Sequence, residues 1–256
     1  MRHARPSWET LLASKEVNES TTAPLPNLRA TPGKLAAFLS LVGVVSALNY
    51  LGNYAGKSSK VSTDTALFHY STAVGAVVVY AIILVIVVWI AEGRVCLPWH
   101  GIRNPLLALR SPHSWLRALG LAVLTLLVAG FVISIIDSFL HGGREQGVVP
   151  KHFMHGHAEE YAANWLVIAG VAPFVEETTY RGLGFSLFVV RFGLWVAIIG
   201  TGIVFATSHG LLDALPELAI FGFALAWLRS RVDSVFPGML VHCAFNSFAL
   251  ASVFWH

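Results

Sequence analysis

Ala172-Pro173-Phe174-Val175-Glu176-Glu177-Thr178-Thr179-Tyr180-Arg181 is the stretch on which the fold turns. It lies inside an otherwise apolar segment running from about Trp165 to Phe192. Two adjacent carboxylates and a guanidinium therefore fall at membrane depth. An ionisable side chain there costs roughly 2.5–3.5 kcal/mol on insertion scales, and it persists only facing protein or a water-filled cavity. Glu177 and Arg181 are four residues apart with the acid first, the favourable order for a helical ion pair. Glu176 projects about 100° away on the same helix and has no basic residue three or four positions on. The spacing predicts one neutralised, structural carboxylate and one reactive carboxylate.

The rest of the chain supports a membrane setting. Hydrophobic residues make up 55% and charged residues 12%, with a mean hydropathy of +0.66. Apolar runs of roughly 18–25 residues recur, the length a helix needs to cross a bilayer. The composition predicts an all-α, polytopic transmembrane helix bundle. Spans are expected at 35–55, 68–91, 115–140, 163–190, 193–212, 214–230 and 235–255. That makes seven, or eight if a re-entrant helix lies in 95–113, although the prolines and arginines of that segment favour a surface-lying connector. Residues 1–34 read as a disordered tail, 35–160 as N-terminal helices with connectors, and 161–256 as a catalytic helix core.

Charge and cysteine usage narrow the class. The net charge of +3 comes from basic residues beside the spans and gives no reason to expect a nucleic-acid partner. Two cysteines, Cys96 and Cys243, are too few for a disulfide framework. With the N-terminus inside, most Lys and Arg fall in inner segments, and the outer ones hold only Lys57, Lys60, Arg144 and Lys151. By the positive-inside rule this predicts a multi-pass protein with a cytoplasmic N-terminus.

Two further polar points interrupt the late spans: Phe205-Ala206-Thr207-Ser208-His209 and His242-Cys243-Ala244-Phe245-Asn246. His242 and Asn246 share a helix face. Pro173 precedes Glu176 and Pro237-Gly238 precedes His242; a proline inside a helix removes a hydrogen bond and opens the backbone. If 163–190 and 193–212 form a hairpin, Glu176 and His209 lie about 21 and 24 Å from its turn, near one level. His242 and Asn246 lie about 10 and 16 Å from an inner start at 235, so they reach that level only with tilt.

These three motifs resemble those of the CAAX-protease and bacteriocin-processing (CPBP) intramembrane protease family, whose pattern is Glu-Glu-x-x-x-Arg, Phe-x-x-x-His and His-x-x-x-Asn. Here they are Glu176-Glu177…Arg181, Phe205…His209 and His242…Asn246, in that order, and the resemblance covers about 160–256. It implies an endopeptidase acting on a peptide or protein in the bilayer. By position, Glu176 resembles the base that activates water and His209 its partner, while His242 and Asn246 resemble the oxyanion donors. Glu177 and Arg181 would orient the site. The resemblance also implies a mechanism without metal or other cofactor.

Other readings stay open at this level. Glu176, His209 and His242 could supply a zinc site with an open position. Glu176 and His209 could instead form the proton relay of a transporter, or the motifs could persist in a scaffold or immunity-type membrane protein. Ser186 and Ser208 lie near the motifs, but no Gly-x-Ser-x-Gly elbow is present. His141, His152, His155 and His157 have metal-like spacing in the 141–162 loop, but loop histidines of this kind are more often solvated than metal-bound.

Overall fold

The computed structural model describes residues 31–55, 63–94, 101, 103–140, 150 and 152–254. Most of the expected tail, Cys96 and His141 lie outside the described residues. The described residues are helical, with no strand among them, and they form seven principal helices. These are α1 (Pro32–Tyr50), α2 (Tyr70–Glu92), α3 (Trp115–Leu140), α4 (158–192), α5 (Leu194–Ser208), α6 (Leu215–Val232) and α7 (Phe236–Ala251). The expected bundle is present, and its boundaries follow local chemistry. Helix α1 starts at Pro32, inside the expected tail, because Thr31 accepts from the Lys34 N–H and proline suits the first turn. Gly193, at φ 87°, makes the sharp turn between α4 and α5.

Hydrophobicity and burial are distributed as a bilayer requires. Segments Pro32–Tyr54, Tyr70–Glu92, Trp115–Phe139 and Phe236–Phe254 are long and apolar enough to span. Large apolar side chains of α1 to α3, including Leu48, Val74, Leu127 and Phe139, point outward and are exposed. Such an outer surface is tolerable against lipid and not against water. Helices α4 and α6 carry the buried ionisable groups Glu177, Arg181, Glu217 and Arg229. The bundle is thus an integral membrane fold whose charged helices lie inside an apolar wall.

Helix α4 is not a regular α-helix. Two wide π-helical stretches, Val167–Val171 and Glu177–Gly184, flank the short α-helical Ala172–Glu176. Pro173 explains the first. The Ala172 N–H reaches Val167 O in the i→i+5 register, and Pro173 has no N–H with which to continue it. The carbonyl that this register leaves over belongs to Ile168, and the Asn246 side-chain amide of α7 donates to it at 2.8 Å. Wide turns of this kind are rare and concentrate at functional sites.

The 95–113 connector differs from its expected surface position, so far as it is described. Leu106, Leu107 and Ala108 are buried. Asn104 caps the short turn Pro105–Leu107 and donates to Ala91 O and Glu92 Oε1. Leu106 O accepts from the Ser186 hydroxyl, Ala108 O from the Val235 N–H, and Arg110 O from Ser234. With these three carbonyls satisfied, the apolar strap can pack against α4. Gly182 permits the approach: a Cβ there would meet Leu107 O at 2.5 Å.

Helices α5 and α6 meet most closely at Gly202 and Gly222. A Cβ on Gly222 would lie 2.8 Å from Gly202 Cα and 2.9 Å from Gly202 O. Backbone-to-backbone approach of this kind uses small residues because lipid supplies no hydrophobic drive for helix association. We predict that Gly222→Ala destabilises the bundle by about 1–3 kcal/mol through overpacking. Unfolding of the full chain in detergent micelles measures it.

Candidate active site

The site is assembled from four helices. Glu177 and Arg181 lie one turn apart on α4, joined by a 2.9 Å bond from Nη1 to Oε1, and both are 0% exposed. The same Glu177 oxygen accepts from His242 Nδ1 of α7 at 3.0 Å. Arg181 also donates to Gly222 O of α6 at 3.1 Å and lies 4.3 Å from the centre of the Phe205 ring of α5. The expected ion pair is therefore present as a clamp that binds α4 to α6 and α7. Gly238 lets α7 come close, since a Cβ there would be 3.0 Å from Glu177 Oε2.

Glu176 faces another way. Its side chain is 15% exposed and lines a cavity of about 720 Å³. Leu41, Val45 and Leu48 of α1 and Val79 and Ile83 of α2 supply much of the apolar wall, with His209 also at its edge. Glu176 Oε1 accepts a 2.7 Å bond from the Tyr80 hydroxyl of α2. Its Oε2 lies 4.0 Å from His209 Nε2 and 3.8 Å from His242 Nε2.

The hydrogen bonds fix both imidazole tautomers. His209 Nδ1 is 2.8 Å from Phe205 O, an acceptor only, so that nitrogen carries the proton. His242 Nδ1 faces the Glu177 carboxylate and carries its proton for the same reason. Both rings therefore turn Nε2 toward Glu176. Glu176, His209 and His242 thus come together, as the depth arithmetic predicts for the first two. Asn246 lies one turn further along α7, with one amide N–H bonded to Ile168 O and a second available, since a side-chain amide has two.

His209 caps the end of α5, where the chain turns at Gly210 with φ 68°. Helix α1 and the wide turn that follows it, Leu51–Ala55, support this turn. Asn49 donates to Ser208 O at 2.6 Å, and Asn53 donates to Gly210 O at 3.0 Å. A Cβ on Gly210 would sit 2.6 Å from the Asn49 carbonyl carbon. Sequence reasoning missed Asn49, Asn53 and Tyr80. Tyr80 leaves a signal: it is a hydroxyl in mid-span among aliphatic residues, and a buried phenol needs a partner.

The other candidates are placed as follows. Ser208 donates to Phe205 O and accepts from Tyr180, and Ser186 donates to Leu106 O, so neither hydroxyl is paired with a base. His157 contacts Glu160 at 3.4 Å, and His155 packs edge-on against Phe153. Among the described residues no group of three or more His, Cys, Asp or Glu is close enough to hold a metal ion. At the main site, the O-to-N separations of 3.8 and 4.0 Å exceed the about 3.3 Å between two ligands of a tetrahedral zinc ion with bonds near 2.0–2.1 Å.

The clamp has a measurable signature. Removing one member leaves the other's charge buried, which typically costs ~3–5 kcal/mol. Glu177→Ala and Arg181→Ala should each destabilise by that order, and Glu177→Leu with Arg181→Met should recover part of the loss. Denaturant unfolding of the purified variants reads both effects.

A family model described as type II CAAX prenyl endopeptidase Rce1-like matches residues 158–248. Comparison with the curated proteins and with the solved structures gives no match. The matched segment runs from the start of α4 into α7 and contains all six residues of the Glu-Glu-Arg, His and His-Asn motifs; it excludes α1 to α3. The family is a protease family, and no comparison supports a carrier. Through its helical core at 158–248, this membrane protein is similar to the Rce1-like family, in the same stretch that carries the motifs resembling those of the CPBP family.

Proposed function

We propose that this chain is an intramembrane endopeptidase that hydrolyses a peptide bond through a water activated by Glu176. The observation that carries the reading is the convergence of two imidazole Nε2 atoms on Glu176 Oε2, at 3.8 and 4.0 Å. Those separations are too long for direct hydrogen bonds and suit one bridging water.

The chemistry follows from the residue types. Glu176 removes a proton from water as the oxygen attacks the scissile carbonyl carbon. The electron pair of the C=O bond moves onto oxygen, giving a tetrahedral oxyanion. His242 stabilises that charge when Nε2 carries a proton to donate, its ring being held in place by the bond from Nδ1–H to Glu177 Oε1. The second N–H of Asn246 is the other candidate donor. Collapse breaks the C–N bond, and the proton held by Glu176, passed directly or through His209, goes to the leaving amine. The products are a carboxylic acid and an amine, with one water consumed.

The apolar cavity beside Glu176 suits a hydrophobic substrate segment arriving from the bilayer. The matched family's description names prenylated CAAX proteins, and we carry that class over as the first to be tried. We also retain a cytoplasmic N-terminus, on the distribution of Lys and Arg. A second reading has one observation in its favour. Both Nδ1 protons are held by acceptors while Nε2 faces the carboxylate, the outer arrangement typical of histidines that ligate zinc.

Glu176→Gln should lower turnover of a membrane-anchored peptide by at least about 10²–10⁴-fold, the range of a lost general base. Its elution and melting should match the unaltered protein. Activity should also survive a strong chelator. Loss on chelation with recovery on adding Zn²⁺ transfers the site to the metal reading, and a fully active Glu176→Gln protein ends the glutamate mechanism.

A further inference from the structure

Tyr80 holds the carboxylate on which the proposed reaction depends, yet it comes from outside the matched segment. Its hydroxyl donates to Glu176 Oε1 at 2.7 Å across 96 residues of sequence. That distance falls within the range of charge-assisted O–H to carboxylate bonds. A phenol has a single O–H to give, so this bond fixes which carboxylate oxygen is occupied. Oε1 is taken, and Oε2 is left facing His209 and His242.

We infer that Tyr80 is a positioning residue for the reaction, one that locks the Glu176 side chain so that Oε2 addresses the attacking water. The inference rests on Glu176 being the base. Glutamate has three side-chain torsions, and Glu176 borders an open cavity of about 720 Å³ into which its carboxylate could swing. Its neighbours on the imidazole side are too distant to hold it by hydrogen bonds, and Arg181 is engaged by Glu177. Tyr80 is the bond that selects one orientation.

The helix bearing Tyr80 is itself fixed at both ends, as a positioning device must be. At the start of α2, the Asn164 amide of α4 donates to His69 O at 3.1 Å. At its end, Ala91 O accepts from Lys34 Nζ at 2.6 Å and from Asn104 at 3.1 Å. Tyr80 lies midway between these anchors. The ring carries this hydroxyl too far from its own backbone for the intrahelical bond that Thr125 makes with Leu121 O at 2.7 Å, so its partner has to lie on another helix. Tyr80 reaches across to the reactive carboxylate.

The test uses the full chain in detergent or nanodiscs and a membrane-anchored peptide that the unaltered protein cleaves. Tyr80→Phe should lower kcat by about 10- to 100-fold, the worth of a hydrogen bond to a charged group. KM should stay within about twofold, because the ring that borders the cavity is kept. Fluorotyrosine at position 80 retains the donor and should keep most of kcat, which a packing role alone does not explain. Glu176→Gln is assayed in parallel. If it is inactive while Tyr80→Phe has unaltered kcat, the positioning role falls and the base stands. If Glu176→Gln keeps its turnover, the base assignment falls and the positioning role with it. A rise in KM alone makes Tyr80 a cavity wall, and an equal loss with phenylalanine and fluorotyrosine makes it a packing residue; either overturns the inference. Should Tyr80→Phe fail to fold, the fluorotyrosine protein decides, since substantial loss of its kcat is incompatible with a retained hydrogen-bond donor.

Discussion

One oxygen organises the helical core. Glu177 Oε1 accepts from Arg181 at 2.9 Å and from His242 at 3.0 Å, out of reach of solvent. Desolvating a carboxylate and a guanidinium costs several kcal/mol each, and their attraction offsets this only with good geometry and further hydrogen bonds. Arg181 finds one such bond at Gly222 O and a ring face at Phe205. Four helices therefore converge on a single charge pair. The pair does more than neutralise itself, because the His242 ring is oriented by it and thereby presents Nε2 to Glu176. Two adjacent glutamates reach different tasks through different surroundings: Glu177 is sealed among helices, and Glu176 opens on a cavity.

The two halves of the chain contribute unequally to that arrangement. Helices α4 to α7 supply the motif residues, and the family match coincides with them. Helices α1 and α2 supply the walls of the cavity and three polar reaches into the core. Asn49 and Asn53 hold the turn that carries His209, and Tyr80 holds Glu176. Each reach crosses from an apolar, lipid-facing helix to a group that could otherwise relax. The N-terminal helices therefore both shield buried charge from lipid and fix the geometry of the groups they cover.

Sequence alone shows the helical bundle because hydrophobic length is a strong physical signal and charges at membrane depth are expensive. It also shows the clamp, since Glu177 and Arg181 are on one face one turn apart. It identifies Glu176, His209 and His242 as a group, partly by depth and partly by motif. What it does not show are contacts between distant segments. Tyr80 and Glu176 are far apart in the chain, and no periodicity links them. The buried strap at Leu106–Ala108 also escapes, because prolines and arginines disguise a segment whose Leu106 and Ala108 carbonyls are paired by tertiary bonds. Irregular backbone is legible only when its partners are known.

Asn246 illustrates how a motif residue can serve the fold and the site together. Pro173 lies three residues before Glu176 and cannot extend the wide turn that begins at Val167. A half-buried carbonyl at Ile168 without a donor would carry part of the about 1–3 kcal/mol cost of a buried unpaired group. The Asn246 amide supplies the missing donor from α7. This ties the backbone that sets the direction of Glu176 to the helix that carries His242. An asparagine is suited to the place because its amide has two N–H groups, one for the broken turn and one still available to a substrate carbonyl. An aspartate of the same shape could do neither when ionised. The proline before Glu176 and the asparagine after His242 are then two sides of one backbone defect, placed beside the cavity on which Glu176 opens.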